Sequence, residues 1–129
     1  MLDSVTITAA DLAATVAFYD AALGALGLVR LDELVDEEED EPALEAVAWG
    51  PADGTSVLWV VGGDPPTTGL HLRFRARSRP EVETFHAAGE SAGGRTHAAP
   101  RRWPIYRRGE FNAILRDPQG NLVEAVAPE

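Results

Sequence analysis

The 129-residue chain is written twice, and this internal repeat constrains its fold more than any other feature. Sliding the sequence by 67 lays Ser4 to Gly27 over His71 to Gly94. Ala9 then matches Ala76, Phe18 matches Phe85, Ala21 matches Ala88, Ala25 matches Ala92 and Gly27 matches Gly94. A slide of 66 lays Pro51 to Val61 over Asp117 to Ala127 and pairs Gly54 with Gly120, Val57 with Val123 and Val60 with Val126. A repeat of this length points to two copies of one supersecondary unit, so every motif has a counterpart to be compared with.

Local chemistry assigns elements to each copy. Asp11 is a helix N-cap ahead of the apolar stripe Leu12, Val16, Tyr19 and Leu23, and Gly24 stops that helix. Ser78-Arg79-Pro80-Glu81 is a capping box, followed by Val82, Phe85, Ala88, Gly89 and Ala92 at helical spacing and by Gly93-Gly94. The spacing predicts strands at Leu28–Asp32 and Leu44–Trp49 in the first half, and at Ile105–Arg107 and Phe111–Arg116 in the second. Each half closes with a turn and a strand. The result is an α+β chain, 1–129, of two βαβββ modules, 1–61 and 70–129, joined by the Gly62–Gly69 linker.

Composition narrows the chemistry. Cysteine is absent, which removes disulfides, thiolate metal sites and cysteine nucleophiles. No stretch approaches the ~20 apolar residues of a membrane span, and the opening MLDSVTIT lacks a signal-peptide pattern. A soluble, cytoplasmic protein is expected. The net charge of −10 repels nucleic acid and anionic lipid, so neither is expected as a partner. Residues 1–66 hold 14 acids against Arg30 alone, whereas residues 67–129 hold 10 arginines against 7 acids. Complementary halves of this kind, −13 and +3, suit a homodimer or internal pairing. The run Asp36 to Glu41 reads as a solvated loop.

The stretches AFYDAALGALGL, HLRFRA, FHAAGESAGGR and FNAILRDPQGNLVEAV resemble the glyoxalase, bleomycin resistance and extradiol dioxygenase superfamily, the vicinal oxygen chelate proteins. The resemblance spans nearly the whole chain and implies a mixed sheet curled around one small-molecule cleft, with modules commonly paired across subunits of a dimer. It also implies a divalent metal (Zn, Mn, Fe or Ni) at four corners that map onto Ser4, Leu58, His71 and Glu124. Serine stands where metal-dependent relatives have histidine, and leucine cannot ligate. The ligand set therefore reduces to His71 and Glu124 with the Ser4 hydroxyl, a set expected to hold a metal weakly or not at all.

Alternation along the strand from His71 puts Arg73 and Arg75 on the same face, opposite Ser4, Thr6 and Thr8. A guanidinium there either pairs with Glu124 or offers a fork to an anionic ligand. Glu124 lies within the apolar run LVEAVA and needs a partner; it is the candidate base or ligand. Trp103 and Tyr106 sit in a segment that borders the pocket in relatives and offer aromatic platforms. Trp59 is read as facing away from the cleft, His86 as a surface residue, and His97 as part of a loop. Two functions stay open: a metal enzyme that stabilises an enolate or oxygen adduct with Glu124 as ligand or base, and a metal-free protein that sequesters a small molecule. An oligomerisation domain is a third.

Overall fold

Asp11 and Ser78 do start the two helices: their side chains accept from the backbone N–H of Ala14 and Glu81 at 3.1 and 3.3 Å. A computed structural model describes residues 2–37, 43–55, 57–103 and 109–128. In chain order the elements are β1 (Ser4–Ala9), α1 (Leu12–Gly24), β2 (Val29–Asp36), β3 (Ala43–Gly50) and β4 (Val57–Gly62). The second set is β5 (His71–Arg75), α2 (Arg79–Ser91), β6 (Arg95–Arg102), β7 (Glu110–Arg116) and β8 (Leu122–Pro128). They form two four-stranded mixed sheets of identical order, β1-β4-β3-β2 and β5-β8-β7-β6, with the first pair of each parallel. The fold is α+β with βαβββ order in both halves. None of the described helices is long and apolar enough to cross a membrane.

Burial follows the pleat. On β1, Ile7 and Ala9 are buried while Ser4 and Thr6 are exposed. On β5, His71, Arg73 and Arg75 are exposed and Leu72 and Phe74 partly buried. The inward side chains join one core with Phe18, Tyr19 and Leu23 of α1 and Val82 and Phe85 of α2. The helices meet at Gly89 of α2, where an added Cβ would lie 3.3 Å from Phe18 Cε1 and 3.4 Å from Ala22 Cβ of α1.

Two expectations are corrected. The second strand of the second module is β6, Arg95–Arg102, where no strand was expected, while the strand expected at Ile105–Arg107 lies outside the described residues. The β6 sequence RTHAAPRR lacks the β-branched pattern of a strand and contains Pro100, which a position at the sheet edge accommodates. His97 is thus a strand residue, with Nδ1 3.2 Å from Arg116 Nη2. The second correction is a register of one residue. Thr6 pairs with Trp59 as Arg73 pairs with Glu124, so the closing strands superpose at a slide of 65 while their turns superpose at 66. The counterpart of Glu124 is Trp59, which shares the Thr6 face and does not face away from it. Leu58 pairs with Val5 and is buried in the core.

The closing turn is anchored by a buried carboxylate. Asp117, 1% exposed, accepts from the N–H groups of Gln119 and Asn121 at 2.9 Å, from Asn121 Nδ2 at 3.1 Å and from Tyr19 Oη at 2.7 Å. Asn121 Nδ2 also donates to the Thr67 carbonyl, and its Oδ1 accepts from Leu70 N–H. This one turn therefore ties α1, the linker and β8 together. Burial, and then the neighbouring Asp117 charge, hold the Tyr19 phenol well above its ordinary value of 10.0. In the unfolded chain Tyr19 ionises near pH 10 while in the fold it keeps its proton, so stability falls as pH rises above that value, by about 1.4 kcal/mol per pH unit. The chain has no lysine to titrate in the same window. Tyr19→Phe should cost about 1–2 kcal/mol at neutral pH and flatten the decline between pH ~10 and ~12 by roughly one proton, measured by urea unfolding against pH.

Candidate functional site

A cavity of about 540 Å³ opens at the junction of the modules, lined from β1 and β4 on one side and β5 on the other. Its polar wall includes Ser4, His71, Arg73 and Arg75, and Val5, Leu28, Trp49, Leu58, Leu72 and Phe74 supply apolar surface. The sequence-predicted residues Ser4, His71, Arg73 and Arg75 are therefore brought together. Thr6 shares their general side but is exposed beyond the cavity wall. Trp103 lies at the end of β6 under the Arg101 guanidinium, 4.1 Å from its ring centroid, away from the described lining. Tyr106 falls outside the described residues.

Glu124 sits immediately behind this wall with 0% exposure, a place a carboxylate keeps only with full pairing. Parallel register sets Arg73 beside it, and its Nε lies 3.2 Å from Oε1. His71 Nε2 approaches the same oxygen at 2.7 Å. Asn112, on β7, donates from Nδ2 to Oε2 at 2.6 Å. Arg73 also donates from Nη2 to Glu110 Oε2 at 2.9 Å. Of the two options the sequence left for Arg73, internal pairing with Glu124 is the one seen. Sequence reading missed Asn112 and Glu110. The available signal was alternation in EFNAILR, which places 110, 112 and 114 on one face, with Ile114 opposite Glu124.

Arg75 differs from its neighbour two residues back. It lines the cavity, and its guanidinium makes no hydrogen bond or ion pair with any described residue. Beyond the cavity, Arg30 grips Asp20 through Nε at 2.8 Å and Nη2 at 2.5 Å, while Trp49 Nε1 donates to the same carboxylate at 2.8 Å. The Arg30 hydrogen bonds hold the Asp20 carboxyl below its ordinary value and fix the wall residue Trp49 through α1.

These residues do not fit a divalent ion as arranged. One Glu124 oxygen faces a guanidinium and an imidazole and the other takes an amide N–H, so the lone pairs a metal would need are turned to donors. Among the described residues no three His, Asp or Glu side chains are gathered as a metal-binding group. Asn112 should matter for the same reason. Asn112→Ala removes a donor from a buried carboxylate and should cost about 1–3 kcal/mol in chemical unfolding, and Asn112→Asp, which places a second acid there, should cost more.

The chain matches the Glyoxalase/Bleomycin resistance protein/Dioxygenase superfamily over residues 1–125. Its fold is similar to that of a glyoxalase/bleomycin resistance protein from Albidiferax ferrireducens T118, at 27% identity and a TM-score of 0.78, covering 100% of this chain and 99% of that one. A glyoxalase-related enzyme from Fulvimarina pelagi shares the fold at 18% identity and a TM-score of 0.72, with 98% and 87% covered. So does a glyoxalase/bleomycin resistance protein/dioxygenase family enzyme from Burkholderia phytofirmans PsJN, at 19% identity and a TM-score of 0.68, with 98% of each chain covered. No curated protein matches the chain. Repeat, sheet order and family match agree: the chain belongs to the glyoxalase, bleomycin resistance and dioxygenase superfamily.

Proposed function

We propose that this member of the superfamily is a metal-independent binding protein that takes up a small molecule with an apolar body and a carboxylate or similar anionic group. The observation that carries the reading is Arg75, a guanidinium on the cavity wall with no partner among the described residues. A side chain that stays charged at any physiological pH, set beside Leu72 and Phe74, is suited to an anion attached to an apolar group. Arg73 supports this assignment by contrast, since Glu110 and Glu124 already occupy two of its nitrogens.

The sequestering reading is favoured over a metal-assisted lyase, isomerase or dioxygenase by the pairing of Glu124. A general base needs a free lone pair aimed at the substrate, and this carboxylate is buried behind His71 and Arg73 with both oxygens accepting. The test uses phenylacetate and its neutral amide, phenylacetamide, in calorimetric titrations. Phenylacetate should bind more tightly than the amide, and Arg75→Gln should weaken phenylacetate by about 1.5–3 kcal/mol while leaving the amide unchanged. Equal binding of acid and amide, or an indifferent Arg75→Gln variant, would overturn the proposal.

A further inference from the structure

The cavity lies between two strands that each end a sheet. The sheet orders leave β1 and β5 with one hydrogen-bonded neighbour apiece, β4 and β8, and no ladder joins β1 to β5. At the two ends of β5, Ala76 N–H donates to the Val126 carbonyl and Leu122 N–H donates to the Leu70 carbonyl. Even-numbered residues therefore turn their backbone to β8, and the N–H and C=O groups of His71, Arg73 and Arg75 point to the open edge. In β1, bonds from Val57 N–H to the Asp3 carbonyl and from Gly63 N–H to the Ala9 carbonyl commit the odd-numbered residues to β4. The backbone groups of Ser4 and Thr6 are thus on its open edge. Those of Thr8 are taken by Thr67, whose Oγ1 accepts from the N–H and whose N–H donates to the C=O, both at 2.9 Å. No described residue bonds to the outward backbone groups of Ser4, Thr6, His71, Arg73 or Arg75.

A bare edge is a template for another strand unless something blunts it. The outer edges of the same two sheets are blunted: β2 and β6 both carry register shifts, and β6 contains Pro100. By contrast β1 and β5 run without a shift, and Asp3, Ser4, Val5 and residues 71–75 line the cavity.

We infer that the cavity takes a short extended peptide, added as a strand along the β5 edge with its C-terminal carboxylate on the Arg75 guanidinium. The inference rests on the reading of Arg75 as the anchor for an anion and names the class of anion. A carboxylate held at Arg75, the last residue of β5, directs the peptide parallel to that strand. Peptide residues beside Leu72 and Phe74 share their face of the pleat, and Val5, Leu28 and Leu58 also line the cavity. Apolar side chains are therefore selected at every second position, and those between them meet the polar wall. A tetrapeptide is about 13 Å long at roughly 3.3 Å per residue, within the reach of the five-residue β5. The cavity, about 540 Å³, lies within the roughly 300–1,000 Å³ of pockets that enclose ligands of that mass.

The test titrates acetyl-Thr-Val-Thr-Val, as free acid and as C-terminal amide, into wild type and Arg75→Gln by calorimetry, together with two isomers of the acid N-methylated at alternate residues. The free acid should bind wild type at least about tenfold more tightly than phenylacetate or the peptide amide does, and Arg75→Gln should abolish its advantage over the amide. At least one N-methylated isomer should bind at least about tenfold more weakly than its parent, because alternate N–H groups of an added strand point to the edge. Full affinity in both isomers overturns strand addition. Hydrogen exchange followed by NMR reads the protein side: the acid peptide should slow exchange of the Arg73 and Arg75 N–H groups, and phenylacetate should leave them as in the free protein. Peptide binding that leaves both unprotected overturns the inference. So does protection of both in the free protein, which would show the edge to be covered already, as by a second copy of the chain. If phenylacetate binds through Arg75 and the peptide binds no more tightly, the peptide inference fails and the anion reading stands. Acids that bind no better than their amides, in both the phenylacetate and the peptide pair, overturn both.

Discussion

Everything at the candidate site depends on keeping one carboxylate, Glu124, out of water. At 0% exposure it lies in a strand whose other inward residues are apolar, and among the described residues three side chains from two strands converge on it: His71 and Arg73 from β5 and Asn112 from β7. Those donors fix the rotamers of the side chains that form the polar wall of the cavity. The wall is built from the back, by a buried acid that aligns His71 and Arg73 in front of it. Arg75, one pleat farther along, escapes this arrangement and faces the cavity uncommitted to any described residue.

The placement of Glu124 depends in turn on the closing turn. Asp117 and Asn121 pin the start of β8 to α1, to the linker and to Leu70 immediately before β5. The parallel pairing of β5 with β8 that brings Arg73 opposite Glu124 is therefore set by hydrogen bonds outside the sheet as well as within it. A buried aspartate with four donors is a costly feature for a turn that only reverses the chain. It is consistent with a turn that must also set register, because a slip of one residue would send Glu124 into the core and an apolar neighbour into the cavity wall.

The repeat made the fold legible. Helix caps at Asp11 and Ser78, the glycine stops and the alternating strands are local signals that the structure obeys. The site was legible where it depends on alternation alone, as for His71, Arg73 and Arg75. It was not where it depends on pairing across strands. Leu58 and Trp59 exchange faces through one additional residue between Gly54 and β4, which no pattern in the sequence marks. Asn112 and Glu110 become partners of Glu124 and Arg73 only once β7 lies against β8 and β5 against its other edge. Strand β6 was missed because an edge strand tolerates proline and arginine that an interior strand would not.

The Arg73 guanidinium, 3.2 Å from the buried Glu124 carboxylate, is the cation on which the proposed metal-independent binding turns. Equilibrium dialysis of phenylacetate against wild-type protein, in EDTA and in buffer containing added Zn²⁺ and Mn²⁺, tests the central claim most directly. The account predicts the same affinity under both conditions. Loss of binding in EDTA, restored by either metal, would contradict it.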